Sequence, residues 1–134
     1  MKREHDGPVP DRLRFWFVVH FAIDYLFAIP LLLAPEFTLE LIGWTTVDPL
    51  TSRLVGAALL GIGGESLLGR YGSADVYRAM LNLKIIWSLG AIFGIGASMA
   101  GGGPPMGWVV LGIFVAFCAL WSYYRIQLRE RQVS

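Results

Sequence analysis

The sequence predicts an all-α fold, a four-transmembrane-helix bundle with both termini on the cytoplasmic side and a short interfacial helix between spans 1 and 2. Three observations predict it. Hydrophobic residues make up 55% of the 134-residue chain and charged residues only 16%, with a mean hydropathy of +0.57, too apolar for an ordinary water-surrounded domain. Apolar stretches long enough to cross a hydrocarbon core of about 30 Å recur between proline- and glycine-marked breaks. Basic residues gather in alternate connections: Lys2, Arg3, Arg12 and Arg14 at the start, Arg70 and Arg78 in the second connection, and Arg125, Arg129 and Arg131 at the end. The first connection has only acidic residues before Arg53, and the third has no charge, so four spans put the basic set on the cytoplasmic side. The whole chain, 1–134, reads as one membrane domain, and the expected location is the cytoplasmic membrane of a prokaryote.

Met1 to Asp11 is polar, proline-containing and mixed in charge, which predicts a flexible arm, with His5 solvated in it. Asp11 can cap a first span running over about 12–33. A signal peptide is the rival for an apolar segment so near the start, but the run contains His20 and Asp24, is long enough to span, and lacks a small-residue cleavage site. Pro30 should bend or loosen its last turn, and Pro35 prevents its continuation. The stretch 35–44 is too short to span. Phe37, Leu41, Ile42 and Trp44 suit an interfacial helix with Glu36 and Glu40 turned to water, and an ordered loop is the alternative.

Asp48 followed by Pro49 is a helix-start signal, a capping carboxylate before a proline that needs no N–H. The second span, about 49–69, carries Arg53, Glu65 and several glycines, which predicts a helix pressed against other helices of the chain. Gly72 and Ser73 can end one helix and cap the next. The third span covers about 74–100, with Gly90, Gly94, Ala97 and Ser98 forming a small-residue face for helix contact. Gly101 to Pro105 predicts a flexible turn, and the fourth span covers about 105–129. Trp108 near one end and Trp121, Tyr123 and Tyr124 near the other suit the two interfacial aromatic belts.

Counting from the cytoplasmic ends puts His20, Glu65 and Lys84 in one layer roughly 8–9 Å deep, with Asp24 a turn deeper. His20 and Asp24, spaced i, i+4, share a face. Ionisable groups in hydrocarbon are expensive unless they face inward and compensate one another. The expected pairing is Glu65 with Lys84, and Asp24 accepting from His20 or Tyr25. Arg53 reaches water, Asp48 or Glu40. Together His20, Asp24, Arg53, Glu65 and Lys84 are the candidate ligand- or proton-binding residues. The plainer alternative is an ion pair that only fixes helix register, with Lys84 snorkelling to the surface.

A metal site from His20, Asp24 and Glu65 has suitable ligands, but Lys84 opposes a cation and no metal is expected. Asp24 is the better proton-relay candidate, Glu65 the better structural anion. A quinone, lipid or other small amphiphile would fit between the helices, with Trp16, Phe17, Phe21, Trp87 and Phe93 as apolar walls. Gly61-Ile-Gly-Gly follows no strand and is no dinucleotide loop. Cys118, the single cysteine, excludes an intrachain disulfide and a CxxC pair, and its apolar neighbours predict an inert thiol. No catalytic residue set is readable. A net charge of +1 gives no bias toward nucleic acid.

The run Leu33-Ala34-Pro35-Glu36-Phe37 through Gly43-Trp44, followed by Asp48-Pro-Leu-Thr-Ser-Arg and the glycine-bearing stretch to Gly63, resembles small four-helix membrane proteins grouped as DoxX-like. The resemblance extends over about residues 13–125 and includes the Lys84/Trp87 stretch. Its closest match is to relatives without an assigned function. It implies a four-helix architecture, Arg53 and Glu65 as polar-site positions, and a role beside a quinone-linked membrane oxidoreductase. The chain departs from a self-sufficient redox protein in having one cysteine and no haem or flavin motif. The expected function is an accessory or ligand-binding membrane subunit, with the bilayer and a larger complex or a second copy as partners. The alternative is a small oligomeric proton-coupled carrier, and an intramembrane enzyme ranks third.

Overall fold

Proline, glycine and capping residues set the helix boundaries. The computed structural model describes residues 8–133, with side chains described for residues 8–130. His5, Lys2 and Arg3 lie outside the described residues, as does the side chain of Arg131. Helix α1 spans Asp11–Leu33. Pro10 stands at its N-cap, so Asp11 is the first helical residue rather than the cap, placing its carboxylate at the positive end of the helix dipole. The arm is not free up to Asp11: Val9 is buried against the core. Pro30 stays inside α1 without ending it, and the Ala34 N–H still reaches the Pro30 carbonyl at 2.8 Å. The break falls at Ala34, and Pro35 opens the short helix α2, Pro35–Leu41.

Gly43 ends that connection with a φ of +99°, which an L side chain rarely adopts, and the Trp44 N–H turns back to the Leu39 carbonyl at 2.9 Å. Helix α3, Pro49–Leu68, is capped as its sequence predicts: the Asp48 carboxylate accepts from the Thr51 N–H at 3.0 Å. A single 3-10 turn over Gly69–Tyr71 leads to Ser73, which caps α4, Ala74–Ala100. Helix α5 runs Met106–Val133, a turn beyond its expected end at Arg129. Gly102, at a φ of +94°, reverses the chain between α4 and α5.

All regular structure among the described residues is helical, and three helices (α1, α4 and α5) are long and apolar enough to cross a membrane. Large side chains such as Leu26, Leu33 and Phe93 stand exposed on them. An outer surface this apolar belongs in lipid, and the chain is a membrane protein. Helix α3 is not among the three: Arg53, Glu65, its hydroxyls and its glycines interrupt its apolar run.

The helices pack as two pairs, α1 on α3 and α4 on α5. The buried face of α1 is Leu13, Phe17, His20, Asp24, Ala28 and Leu31; that of α3 is Ser52, Gly56, Leu59, Gly63 and Ser66. Both follow the three- and four-residue steps of a helix-packing seam, strictly alternating in α3. Small residues on α3 let the backbones close up: a Cβ on Gly63 would lie 2.7 Å from the Cβ of Asp24. The predicted face of Gly90 and Gly94 is not used this way, since a Cβ at either would meet nothing within 4 Å.

Between the pairs the two ends of the molecule differ. At the end where α1 begins and α5 finishes, Leu13 and Phe17 of α1 interlock with Tyr77 and Leu81 of α4 and Trp121 and Leu128 of α5. Trp121 is fully buried and Tyr124 nearly so, while Tyr123 is exposed; the expected aromatic belt at this end is therefore mostly core. Toward α2 the buried cluster shrinks to Ala28, Leu31 and Leu59.

Candidate functional site

The site lies where these two ends meet. Lys84, only 2% exposed, extends from α4 toward α1 and α3 and does not snorkel. Its Nζ lies 2.6 Å from Ser66 Oγ and 2.9 Å from His20 Nδ1, and over the rings of Phe17 and Trp121 at 4.9 and 5.2 Å. Two hydrogen bonds and two aromatic faces offset the cost of burying an ammonium group. Ser66 in turn donates to the Ile62 carbonyl at 2.7 Å, so its lone pair is free for Lys84. His20 is wedged edge-on against Phe117 and Trp121, with centroids 4.9 and 5.1 Å apart. One turn along α1, Asp24 Oδ2 sits 3.1 Å from the same His20 Nδ1.

One ring nitrogen cannot both donate to Asp24 and accept from Lys84. Without a hydrogen Nδ1 accepts from Lys84; with one it donates to Asp24 Oδ2. In the first tautomer Asp24 Oδ2, closed off between α1 and α3, has no donor; in the second it has His20.

Above this cluster a cavity of about 580 Å³ extends between the helix pairs toward α2. His20, Asp24 and Ser88 form its polar inner end; Thr38, Thr51 and Trp44 stand at the other. The walls are Phe27, Leu31, Leu59, Trp87, Phe114 and Phe117, among other apolar side chains. Such a volume with few polar groups suits a small amphiphilic molecule.

Of the sequence candidates, His20, Asp24 and Lys84 come together. Glu65 does not pair with Lys84: it stands exposed on α3, one residue from Ser66, and a single residue turns a side chain by about 100° around a helix. Arg53 is also exposed and donates from Nε to the Leu32 carbonyl at 3.2 Å, tying the start of α3 to the end of α1 instead of joining the polar cluster. The Tyr25 hydroxyl turns to the surface of Gly64, not to Asp24. Among the expected apolar walls only Trp87 lines the cavity; Phe17 and Trp16 belong to the core, Phe21 packs on Tyr25, and Phe93 faces outward. Ser66 and Ser88 were missed. Ser66 was findable as the last member of the small-residue seam of α3, and Ser88 as the residue one turn after Lys84. Cys118 is half-buried. With Glu65 turned away, no group of three potential metal ligands forms among the described residues.

Fold and site thus define a helical membrane protein with a buried lysine–histidine–aspartate cluster at the foot of an apolar cavity. Comparison with protein-family models, with curated proteins and with solved structures gives no match.

Proposed function

We propose that this protein is a four-span membrane subunit, α3 being the fourth span, that binds a small amphiphile in the cavity between its helix pairs. In this reading both termini are cytoplasmic, the membrane is a prokaryotic cytoplasmic membrane, and α2 lies in the opposite interface. The DoxX-like resemblance, and with it a place beside a larger redox complex, belongs to the same proposal. The observation that carries it is the cavity itself, about 580 Å³ with almost all its polar groups at its ends. A bound quinone or lipid would meet aromatic walls and a hydrogen-bonding foot.

Native mass spectrometry of the protein extracted mildly from its own membrane tests this. The expected result is a stoichiometric small-molecule mass on the wild type, lost in Ala91→Trp, which fills the cavity. A bare chain, or an adduct indifferent to the filling, would overturn the reading. A second reading, an oligomeric proton-coupled carrier, is favoured by the buried Asp24 on the cavity wall. It requires that Asp24→Asn abolish proton-coupled flux in proteoliposomes while the protein stays folded.

A further inference from the structure

The two polar ends of the cavity differ in what they leave unspent. At the foot the charged groups can satisfy one another: Lys84 donates to Ser66 at 2.6 Å, and a protonated His20 Nδ1 serves Asp24 at 3.1 Å. At the other end three hydroxyl side chains line the cavity, and all three have given their hydrogens away. Thr38 Oγ1 donates to the Ala34 carbonyl at 2.7 Å and Ser98 Oγ to the Gly94 carbonyl at 3.0 Å, partners that can only accept. Thr51 Oγ1 donates to the Asp48 carboxylate. What these hydroxyls still offer is lone pairs. Charge at this end has the same bias. Glu36 and Glu40 stand exposed on α2, and Asp48 is exposed beside Thr51. Against them stands Arg53, already engaged with the Leu32 carbonyl, and the connection from α4 to α5 carries no charge. Trp44, half-buried at the same end, supplies an aromatic ring, to which cations are attracted.

We propose that the occupant is an amphiphile headed by a primary ammonium group, with its head at the end lined by Thr38, Thr51 and Ser98 and its tail directed toward the foot. This rests on the amphiphile-binding reading and specifies the head group and its direction. An ammonium group brings three N–H donors and a positive charge to an end that offers lone pairs and carboxylates. A carboxylate or phosphate head brings no donor and meets like charge. A ketone, ether or ester sets lone pairs against all three hydroxyls, and the Trp44 indole N–H is the one side-chain donor lining that end. A hydroxyl head donates once and forgoes the charge. In the reverse direction the ammonium group would sit beside Lys84, which is already the cation of the foot. The tail passes Trp87 and Phe114, whose rings stand 6.5 Å apart. The stretch of α4 from Ser88 to Ser98, both lining the cavity, is roughly 15 Å long and matches a chain of about twelve carbons.

Four probes share a tail and differ in head: dodecylammonium, dodecyltrimethylammonium, 1-dodecanol and dodecanoate. Each is titrated calorimetrically at neutral pH into phosphatidylcholine nanodiscs carrying the full chain, with empty discs subtracted. Dodecylammonium is expected to bind about tenfold or more tightly than 1-dodecanol, the effect of hydrogen bonds from a charged donor, with the trimethyl head between them and dodecanoate weakest. Ala91→Trp should abolish its binding. Asp48→Asn keeps a capping side chain and should lower the dodecylammonium affinity about two- to fivefold relative to 1-dodecanol, as loss of one exposed charge does. Thr38→Val should narrow the same gap and serves if the first variant does not fold. Adding phosphatidylethanolamine to the discs separates two sources of such a head: competition with dodecylammonium marks an aminophospholipid, and undiminished binding marks a free amine. Dodecylammonium no tighter than 1-dodecanol or the trimethyl head overturns the head-group proposal and leaves amphiphile binding standing, as does a preference indifferent to the substitution that folds. Dodecylammonium binding that survives Ala91→Trp is attraction to an acidic surface and overturns the proposal too. Binding of none of the four probes overturns both readings.

Discussion

The end of the molecule where α1 begins and the end beneath α2 use the same four long helices in opposite ways. At the first, Phe17, Tyr77 and Trp121 fill the gap between the helix pairs, with Phe17 and Tyr77 ring centroids 4.6 Å apart. At the second, α1 and α3 stay close through Gly56 and Gly63, but across from them stand Ala91, Gly94 and Ser98, and the gap remains open. The change falls at Lys84, which closes one end and floors the other. Side-chain size along a seam thus decides whether a helix bundle is a solid or a container.

The comparison can be broken most directly by truncating rings. Trp121→Ala should cost about 3–5 kcal/mol, as core aromatics do, whereas Phe114→Ala on the cavity wall should cost less than half of that. Thermal unfolding in detergent, followed by circular dichroism, measures both; equal losses would mean that the second end is packed after all. Next in size is Lys84→Met, expected to destabilise by about 1–3 kcal/mol because His20 and Ser66 lose their donor. Adding Asp24→Leu should return part of that loss if the groups act as one cluster, and strict additivity would show that they do not.

Glycines sharpen the contrast. Gly63→Ala forces a Cβ against Asp24 and should cost about 1–3 kcal/mol, while Gly94→Ala, facing empty space, should be neutral or stabilising by up to about 1 kcal/mol. The smallest effect is one of pH. Hydrogen bonds from the Thr51 hydroxyl and N–H hold the Asp48 carboxyl below its ordinary range. Its contribution is therefore present above the usual carboxylate pKa and lost as pH falls through the lowered one. The cap of α4 at the other end is Ser73, which does not titrate. Acidification should then lower the protection of the Thr51 amide against exchange, measured relative to its intrinsic rate at each pH, while leaving the protection of Val76 unchanged.

Element boundaries were legible because local chemistry fixes them: Pro35 keeps α1 from continuing, Asp48-Pro49 starts α3, and Ser73 caps α4. The polar cluster was legible in part. His20 and Asp24 share a face through their spacing alone, and their burial followed from the cost of leaving them in hydrocarbon. Glu65 was misplaced because depth along a helix says nothing about rotation around it. The seam Ser52, Gly56, Leu59, Gly63, Ser66 carries that rotation and puts Ser66 inward. Trp121 was misread for a related reason: an aromatic near a helix end suits the lipid interface and the core equally, and only its neighbours decide. The cavity was not legible, since it depends on how far apart two helix pairs stand.

In the four-span reading, Arg53 would give the molecule an order of assembly. Its bond to the Leu32 carbonyl fastens the beginning of α3, whose apolar run is interrupted, to the end of α1, along whose surface α3 then lies. In the four-span reading, a nascent α3 leaving the translocation machinery would partition poorly alone and would enter lipid as the second limb of a hairpin already begun by α1. Losing that fastening would register in the cell as chains stalled with α3 outside the bilayer, a defect of biogenesis invisible in the unfolding curve of the molecules that did insert.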